Sequence, residues 1–338
     1  MAEGVKLAIV GATGAVGQEM LKVLEERNFK VKEILCLADP REEGTKIKFR
    51  GETITVRRAD PEAFKQSDIA LFAVGNDISK QLAPVAVENN CVVIDNSYAF
   101  RLDENVPLVV PEVNPMDIAA HKGIIANPNC STIIMVVAIN PIHQAAGLKR
   151  VIVSTYQAVS GAGKAGIDEL ERHAKDYLEQ REVIPEVFQH QIAFNLIPHI
   201  DVFVDDDYTR EEMKMVWETR KIMHAPDLKI APTAVRVPVF RSHSESINME
   251  TEKNLSIEEV RKILANAPGV VVHDDPAANL YPMPLYSSNT DEVYVGRIRR
   301  DISVDNGLAF WVCADQIRKG AATNAIQIAE IVVDKNLY

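Results

Sequence analysis

Residues 127–132, Asn-Pro-Asn-Cys-Ser-Thr, place one cysteine between a short apolar strand pattern at 123–126 and an apolar helix pattern at 133–138. Ser131 and Thr132 favour helix N-caps, so we expect Cys130 to lie where a helix begins and unpaired N–H groups point outward. That environment favours the thiolate, which is the nucleophilic form of the side chain. The chemistry predicted for Cys130 is therefore covalent attack on a carbonyl carbon to form a thioester.

The other three cysteines have a different setting. A free cysteine is more often a small buried apolar residue than a nucleophile. Cys36, Cys91 and Cys313 lie within apolar strand patterns, and we assign them that role. Cys130 is flanked by polar residues at the end of a strand, where ligands bind in open α/β sheets, and this context favours the nucleophile interpretation.

A thiolate that acts on an aldehyde needs a partner that handles a proton. His243 lies in a polar turn between two strand patterns and is the better candidate among the eight histidines. His121, His143, His173 and His224 have the pattern of exposed helix or loop residues. A hydrogen-bonded turn histidine without a catalytic role is an equal alternative for His243.

A glycine turn forms the second chemical pattern. Residues 11–17, Gly-Ala-Thr-Gly-Ala-Val-Gly, follow a strand pattern at 5–10 and open a helix. The spacing is G-x-x-G-x-x-G rather than G-x-G-x-x-G, and a purely structural turn can look the same. The strand–turn–helix context nevertheless favours dinucleotide binding. The candidate cofactor-binding residues here are Gly11, Thr13, Gly14, Ala15, Val16 and Gly17.

The end of the second strand bears on the choice of cofactor. Asp39 follows the strand pattern at 34–38 and fits the acid that binds the adenosine ribose hydroxyls and disfavours a 2′-phosphate. Arg41 is placed instead to receive the extra phosphate of NADP. A solvated charge pair on a loop is the third interpretation of these two residues.

Alternating strand and helix patterns position the candidates in the first 130 residues. Further strand patterns lie at 69–74 and 92–95, with a helix pattern at about 79–89. Strands separated by helices imply right-handed crossovers and a mostly parallel, doubly wound sheet, so the N-terminal domain is predicted to be Rossmann-like.

The rest of the chain has a different pattern. Strand patterns lie at 151–156, 233–237, 246–250, 293–299 and 308–314, with a polar helix pattern at about 164–178 and a last helix pattern at 321–333. Longer strands with alternating patterns predict a mixed or antiparallel sheet with helices on one face. The predicted fold class is α/β, with a Rossmann-like domain and a second, α+β domain.

The composition excludes several function classes. The 338 residues, 47% apolar and 25% charged, indicate a globular protein of about two domains. The net charge of −11 argues against nucleic acid or an anionic membrane as the main partner. Residues 1–6 lack a signal-peptide pattern, no apolar run is long enough to span a bilayer, and the cysteines are widely spaced. We therefore expect a reduced, cytoplasmic protein without a metal site.

Taken together, the motifs resemble those of the aspartate-semialdehyde dehydrogenases over nearly the whole chain. The matching segments are residues 11–17, 95–101, 127–132, 154–163, 193–195, 211–214, 235–238, 243–246 and 319–322. The resemblance implies that Cys130 is the nucleophile, His243 its acid/base partner, and Gln157 the residue that orients the substrate. It also implies that Arg236 binds the substrate carboxylate through its guanidinium fork and that Glu211 faces the amino group.

The family further implies a phosphate site. Arg101 and Lys214 match the basic residues that bind phosphate, and Asn129, next to the nucleophile, is expected to assist them. Glu211 and Lys214 are three residues apart on a helix pattern, so an ordinary exposed ion pair is the alternative for those two. A loop residue without a binding role is the alternative for Arg101.

The implied reaction is the NADPH-dependent reduction of L-aspartyl 4-phosphate to L-aspartate 4-semialdehyde and phosphate, in the biosynthesis of lysine, methionine, threonine and isoleucine. Ser160, Gly161 and Gln316 are expected near the nicotinamide. Many bacterial relatives carry serine where this chain has Asp39, so NAD or dual use is also predicted beside NADP.

The family implies a dinucleotide-binding domain of residues 1–132 plus 321–338 and a catalytic and dimerisation domain of residues 133–320. A homodimer is expected, with a tetramer also open. Two other functions fit the same patterns. One is a reductase of the N-acetyl-glutamyl-phosphate type, which would not need Glu211 for a free amino group. The other is a catalytically inactive nucleotide-binding paralogue, although such proteins typically lack the cysteine or the histidine.

Overall fold

A computed structural model of the chain describes residues 4–338. The strands, in chain order, are β1 (Val5–Val10), β2 (Val31–Ala38), β3 (Lys46–Phe49), β4 (Glu52–Thr55), β5 (Arg57–Arg58), β6 (Ile69–Phe72), β7 (Val92–Asp95), β8 (Ile124–Ala126), β9 (Leu148–Gln157), β10 (Lys229–Arg236), β11 (His243–Thr251), β12 (Val270–Val272), β13 (Val293–Arg300) and β14 (Gly307–Ala314). The α-helices are α1 (Ala15–Glu26), α2 (Pro61–Lys65), α3 (Asn76–Glu88), α4 (Cys130–Ala146), α5 (Gly163–Leu178), α6 (Arg210–Ile222), α7 (Ile257–Ala265), α8 (Pro284–Ser287) and α9 (Thr323–Asp334).

The described residues form two compact units. One runs through Asn129 and includes Ala321–Tyr338, and the other is Cys130–Gly320. The functional assignment of the two predicted domains, divided after residue 132, stays a prediction. The expectation of no signal peptide depends partly on residues 1–3, which lie outside the described residues.

The first unit contains a six-stranded sheet in the order β5-β2-β1-β6-β7-β8, in which every neighbouring pair is parallel. Leu7 and Ile9 of β1 belong to one buried cluster, whereas Ala8 and Val10 belong to another. Because successive side chains of a strand point to opposite faces, both faces of this sheet are covered. This is the predicted doubly wound arrangement, which the structure confirms.

The second unit contains a mixed sheet in the order β10-β9-β11-β14-β13-β12. β9 is parallel to β10 and antiparallel to β11, and β14 is antiparallel to β11 and β13. Helices α4, α6 and α7 pack against these strands. Along β11, buried Ile247 and Met249 alternate with half-buried Ser246 and Asn248, as expected of a sheet with one covered face. The predicted α+β domain with a mixed sheet is confirmed.

Local differences from the sequence patterns follow from tertiary packing. The β3–β4 hairpin and the short strand β12 carry no strong pattern and were not predicted. His243 is the first residue of β11 rather than a turn residue. Helix α4 begins at Cys130, so Ser131 and Thr132 lie in its first turn, fully buried, and are not its cap.

Candidate active site

The thiol of Cys130 lies at the first residue of α4 and is half-buried. The first-turn N–H groups of a helix favour an anion at this position, which stabilises a thiolate. The other three cysteines are buried, and burial raises the pKa of Cys36 to about 11, of Cys91 to about 12 and of Cys313 to about 11. Those three thiols are held in the unreactive form, as expected of cysteines within apolar strands.

Gly320 lies directly against Cys130, in a π-helical turn that spans Arg318–Ala322. A Cβ atom at residue 320 would be 2.9 Å from the Cβ of Cys130 and 3.3 Å from its Cα. Contacts below 3.0 Å are not tolerated without displacement, so this turn needs glycine to leave Cys130 in place. π-Helical turns are frequent at functional sites.

Three predicted residues meet at one end of the second sheet. Arg236, the last residue of β10, is in register with Gln157, the last residue of β9. His243 begins β11, and because β11 runs antiparallel to β9 its first residue lies at the same edge as the last residue of β9. The three side chains are 7%, 1% and 0% exposed in the order Arg236, Gln157 and His243. With Glu211, they are called the side-chain cluster below.

His243 is neutral in this environment. Burial, reinforced by the nearby Arg236 charge, lowers its pKa to about 3. The backbone N–H of Ala158 donates to Nδ1 at 3.0 Å, so the proton of the neutral ring lies on Nε2. Nε2 is 3.4 Å from the amide nitrogen of Gln157. The ring therefore presents a hydrogen-bond donor on the side of the cluster.

The amide of Gln157 is oriented by contacts at both ends. The hydroxyl of Thr155 donates to Oε1 at 3.0 Å, and Nε2 donates to Oε1 of Glu211 at 3.2 Å. A buried amide with both ends bonded holds one orientation. Gln157 is thus bonded to the acidic member of the cluster and lies beside its imidazole ring.

Glu211 and Lys214 form an ion pair on α6, with Nζ 3.0 Å from Oε2, but the pair is mostly buried. The alternative of an ordinary exposed pair is wrong in this respect. Lys214 also bonds Asp201 at 2.8 Å. Burial by itself lowers the pKa of Lys214, but Glu211 and Asp201 outweigh it and the pKa is raised, so the lysine stays charged.

Helix α6 is fixed at its N-terminus by a capping box. The Glu212 carboxylate accepts from the backbone of Thr209 at 2.7 Å and from the backbone of Ala234 in β10 at 2.9 Å. The second bond ties the helix to the strand that ends in Arg236. The spacing of Glu211 from Arg236 therefore depends on Glu212.

The residues expected near the nicotinamide also lie in this unit. The Gln316 amide donates to the hydroxyl of Ser160 at 2.6 Å and accepts from the backbone of Ser242 at 2.8 Å. A Cβ at Gly161 would be 2.6 Å from Nη1 of Arg236 and 3.4 Å from Cε1 of His243. Gly161 therefore permits Arg236 and His243 to lie against the backbone of this turn.

In the first unit, the glycine turn closes against the strands with backbone contacts. Gly11 has φ +88°, and a Cβ there would be 2.4 Å from the carbonyl oxygen of Ala73. A Cβ at Gly17 would be 2.2 Å from the carbonyl oxygen of Gly11. Gly14 precedes α1 and, among residues 4–338, no side chain caps that helix, which leaves first-turn N–H groups for an anion.

A cavity of about 490 Å³ adjoins this turn, with walls that include Gly11, Thr13 and Gly14. Asp39 and Glu42 also line it. A tight turn that only glycine allows, an open helix N-terminus and this cavity together fit the pyrophosphate and adenosine of a dinucleotide. Ala15 and Val16 begin α1 directly after the turn.

Asp39 and Arg41 form an exposed pair beside the cavity. The guanidinium of Arg41 contacts Oδ1 of Asp39 at 2.8 Å and Oδ2 at 3.1 Å, and these bonds lower the pKa of Asp39 to about 2. Glu42 accepts from the hydroxyl of Thr13 at 2.8 Å. Two carboxylates thus border the region where an adenosine ribose would lie.

Arg101 and Asn129 belong to the first unit and are both mostly buried. Arg101 donates to the backbone carbonyl of Asn96 at 2.7 Å. Arg101 lies in the loop after Asp95, whose carboxylate accepts from the hydroxyls of Ser79 at 2.6 Å and Ser97 at 2.7 Å. Asn129 precedes Cys130 directly in the chain.

Known proteins resemble this chain along both units. Residues 6–121 match the family described as semialdehyde dehydrogenase, NAD binding domain, and residues 139–319 match semialdehyde dehydrogenase, dimerisation domain. The aspartate-semialdehyde dehydrogenase of Aquifex aeolicus is 57% identical over 338 residues, which cover 99% of each chain. The chain belongs to the aspartate-semialdehyde dehydrogenase family.

Solved structures of the aspartate-semialdehyde dehydrogenase family share the fold. The enzyme II from Vibrio cholerae, in complex with ASA, superposes with a TM-score of 0.96 at 48% identity, with 98% of this chain and 99% of that chain covered. The enzyme from Candida albicans, with NADP, gives a TM-score of 0.77 at 26% identity, with 99% and 100% covered.

Within this member of the aspartate-semialdehyde dehydrogenase family, the structure adds residues that the sequence analysis did not single out. Thr155 orients Gln157, Asp201 pairs with Lys214, and Glu212 ties α6 to β10. The T-x-x-E spacing of residues 209–212 is a visible signal for the cap. Asp201 carries no local signal, since its partner Lys214 is 13 residues away, whereas Thr155 is two residues from Gln157 on the same face of β9.

Two further observations bound the site. Among residues 4–338, no group of three or more His, Cys, Asp or Glu side chains is arranged to hold a metal ion. None of the helices in this part of the chain combines the length and the apolar character needed to cross a bilayer.

Proposed function

We propose that the chain catalyses the interconversion of L-aspartyl 4-phosphate with L-aspartate 4-semialdehyde and phosphate. The observation that carries the proposal is a half-buried thiol, Cys130, in the same compact unit as the buried side-chain cluster of Gln157, Glu211, Arg236 and His243. The name of the Aquifex aeolicus relative and the ASA complex of the Vibrio cholerae relative support this substrate.

In the reductive direction, the Cys130 thiolate forms a C–S bond with the acyl carbon. The bond from that carbon to the phosphate oxygen breaks, and phosphate leaves with the electron pair. A bound nicotinamide cofactor supplies the hydride that reduces the thioester. The tetrahedral oxyanion then breaks its C–S bond, which returns the electron pair to sulfur and releases the aldehyde.

The proposed role of His243 follows from its protonation. A neutral ring with its proton on Nε2 donates a hydrogen bond to the substrate oxygen as negative charge develops on it. Such a donor, fixed in a buried site, stabilises a tetrahedral intermediate without reorganisation. Gln157 is proposed to orient the substrate beside the thiol, since its own amide is held at both ends.

The charged side chains are proposed to bind the α-carboxylate, the ammonium group and the phosphate of the substrate. Arg236 would bind the α-carboxylate with its guanidinium fork, and the carboxylate of Glu211 would accept the ammonium group. Lys214, Arg101 and Asn129 would bind the phosphate. Lys214 is already paired with two carboxylates, so its pull on phosphate is weaker than that of an isolated lysine.

The glycine turn of residues 11–17 is proposed to hold the dinucleotide, with Ser160, Gly161 and Gln316 at its nicotinamide end. NADP is the proposed cofactor, with measurable use of NAD. The Asp39–Arg41 pair is largely exposed, and exposed ion pairs contribute little to stability, so Arg41 is able to turn to a 2′-phosphate. Asp39 and Glu42 oppose that phosphate and favour NAD.

The cofactor proposal is tested by the ratio of kcat/KM for NADP to that for NAD, with Asp39→Ser as the variant. We expect the ratio to rise by about tenfold, because one of two repelling carboxylates is removed. The same ratio measured for 2′-phospho-AMP and AMP binding by calorimetry reports on the adenosine end alone. An unchanged ratio in both measurements contradicts a role for Asp39.

A homodimer is proposed through the second unit, and a tetramer of two dimers is left to experiment. The description of residues 139–319 as a dimerisation domain supports this proposal. The exposed apolar side chain of Ile152 on β9 also supports it. Sedimentation equilibrium of the wild type measures the mass. Since a reactive thiol requires a reducing compartment, we propose the cytoplasm as the location.

The function is tested by cofactor reduction with aspartate semialdehyde, in the presence and absence of phosphate. We expect turnover that depends on phosphate and is abolished in Cys130→Ala, whereas Cys313→Ala, which changes a buried thiol, keeps it. N-acetylglutamate semialdehyde should be a much poorer substrate, because it has no free ammonium for Glu211. No turnover with aspartate semialdehyde, or equal turnover with both aldehydes, contradicts the proposal.

A further inference from the structure

Helix α5 carries two titratable side chains on its buried face. Its buried residues are Gly166, Glu169, Leu170 and His173, at helical spacing, with Ile167 and Ala174 partly buried beside them. The prediction that His173 is exposed is therefore wrong, because its ring is fully buried. Ionisable side chains are rarely buried without a specific partner, so this face has a structural task.

Glu169 binds the backbone of residues 184–192, called the segment below, which follow the helix. Its side chain is 1% exposed. Oε2 accepts the backbone N–H groups of Glu186 at 3.0 Å and Val187 at 2.6 Å, and Oε1 accepts that of Phe188 at 3.1 Å. A carboxylate that accepts three backbone N–H groups fixes those residues as a unit.

His173 and Arg172 fix the same segment on either side. The backbone N–H of Ile192 donates to Nδ1 of His173 at 3.3 Å, so Nε2 carries the proton and donates to the carbonyl of Ile184 at 3.0 Å. Arg172 donates to the same carbonyl at 3.0 Å. The segment is otherwise largely exposed, and it owes its conformation to these contacts.

The segment delivers one aromatic ring to the side-chain cluster. The guanidinium carbon of Arg236 is 5.8 Å from the centroid of the Phe188 ring, a cation–π contact. Behind the ring lies Gly166, where a Cβ would be 3.1 Å from Cζ of Phe188. On the strand side, Nη1 of Arg236 donates to the carbonyl of Ala158 at 2.7 Å. The guanidinium is thus held between one carbonyl and one ring.

We propose that Glu169 is a positioning residue for Arg236: its buried carboxylate fixes the backbone of residues 186–188, and thereby seats the Phe188 ring that sets the plane of the guanidinium fork. This inference rests on the proposed function in that it takes Arg236 as the group that binds the substrate carboxylate. Glu169 itself contacts no substrate.

The carboxylate is needed because both of its oxygens accept. In Glu169→Gln, one oxygen becomes an NH₂ group, which would face a backbone N–H donor. The segment must then shift, and the Phe188 ring shifts with it. A displacement of about 1 Å in a group that orients the substrate costs up to ~10²-fold in rate. The loss should appear only with ligands that carry a carboxylate for Arg236.

The test compares Glu169→Gln with Asp168→Asn, its matched control on the same helix, whose carboxylate is exposed and bonded only to Lys164 in the described structure. The substrates are aspartate semialdehyde and 3-aminopropanal, which lacks the carboxylate. We expect kcat/KM of Glu169→Gln for aspartate semialdehyde to fall by ~10-fold or more, mainly through KM, and that for 3-aminopropanal to change less than ~3-fold. Asp168→Asn should match the wild type.

A second readout does not require turnover. The rates at which iodoacetate and iodoacetamide alkylate Cys130 are followed by peptide mass spectrometry, and their ratio reports attraction of a carboxylate to Arg236. We expect this ratio to fall in Arg236→Leu and in Glu169→Gln, and to be unchanged in Asp168→Asn. Phe188→Leu, which leaves the Glu169 contacts intact, should reproduce the fall even if Glu169→Gln folds poorly.

The outcomes separate the two proposals. A wild type that is inactive on aspartate semialdehyde overturns the proposed function, while the alkylation ratio still tests the positioning of Arg236. Equal losses for both substrates, or an alkylation ratio that neither Glu169→Gln nor Phe188→Leu changes, overturn the positioning role. Adding Glu169→Gln to Arg236→Lys should change kcat/KM by less than ~2-fold, because the two changes act on one contact, and full additivity would also overturn it.

Discussion

The glycine turn of the first unit and the side-chain cluster of the second unit are built by different means. The turn consists of backbone: Gly11 and Gly17 allow carbonyls and N–H groups to approach within distances that any Cβ would prevent. The cluster consists of side chains from β9, β10, β11 and α6, each oriented by a further buried partner. A site made of backbone fails when an atom is added, whereas a site made of side chains fails when a partner is lost.

The largest effect is expected from Arg236. Arg236→Leu should reduce kcat/KM for aspartate semialdehyde by ~10²–10⁴-fold, because two charge-assisted hydrogen bonds of about 1.5–3 kcal/mol each are lost. Arg236→Lys keeps the charge but not the fork, and should recover only part of the activity. Steady-state kinetics check both. Full activity of the lysine variant would contradict a bidentate contact.

Gly320→Ala tests whether the catalytic thiol, like the glycine turn, needs a neighbouring residue without a Cβ atom. In Gly320→Ala, the new Cβ would be 2.9 Å from the Cβ of Cys130, so the thiol must move. We expect kcat to fall by up to ~10²-fold, with cofactor affinity unchanged. Single-turnover kinetics and cofactor titration separate the two quantities. A variant with normal kcat would show that the π-helical turn yields without displacing the nucleophile.

Gly17→Ala tests the backbone-built site. Its Cβ would be 2.2 Å from the carbonyl oxygen of Gly11, and overpacking of this kind costs about 1–3 kcal/mol. Cofactor affinity should therefore fall by ~10-fold, while alkylation of Cys130 proceeds at the wild-type rate. Wild-type cofactor affinity in Gly17→Ala would contradict the steric account.

Glu245 lies outside both sites, and its effect is on stability rather than on activity. It is fully buried behind His243 on β11, its carboxylate has no hydrogen-bond partner in the described structure, and burial raises its pKa well above the usual value. The folded state therefore keeps the acid neutral, and stability falls as pH rises from the unfolded pKa of about 4.3, by up to ~1.4 kcal/mol per pH unit until the folded pKa is reached.

Glu245→Gln removes this dependence, because an amide does not titrate. The variant should be as stable as the wild type or slightly less so near pH 4, and progressively more stable than the wild type as pH rises. Urea unfolding at several pH values measures the difference. Parallel stability curves for the two proteins would mean that the carboxyl is not neutral in the fold.

The local structure around the glycine turn could be predicted from the sequence almost completely. The order strand, glycine turn, helix is local, and both the parallel sheet and the start of a helix at Cys130 follow from patterns within about 20 residues. Cys130 also stood out by its polar neighbours. The NADP question was visible too, since Asp39, Arg41 and Glu42 are adjacent in the chain.

The supports of the side-chain cluster could not be predicted in the same way. Phe188 reaches Arg236 from 48 positions away in a segment without a strand or helix pattern, and Glu169 binds backbone groups, which leave no trace in residue types. His173 was assigned to an exposed surface because α5 is polar overall, and only its packing against residues 184–192 explains the burial. The sequence therefore indicates the candidate catalytic and binding residues better than it indicates the residues that orient them.

The most direct test of the account is whether an acyl group forms on Cys130 and leaves with phosphate. The protein is incubated with aspartate semialdehyde and NADP without phosphate, quenched in acid and analysed by peptide mass spectrometry. We expect an aspartyl thioester on the peptide that contains Cys130, unmodified Cys36, Cys91 and Cys313, and loss of the label when phosphate is added. A label on another cysteine, or no label in a protein that turns over, would contradict the covalent role of Cys130.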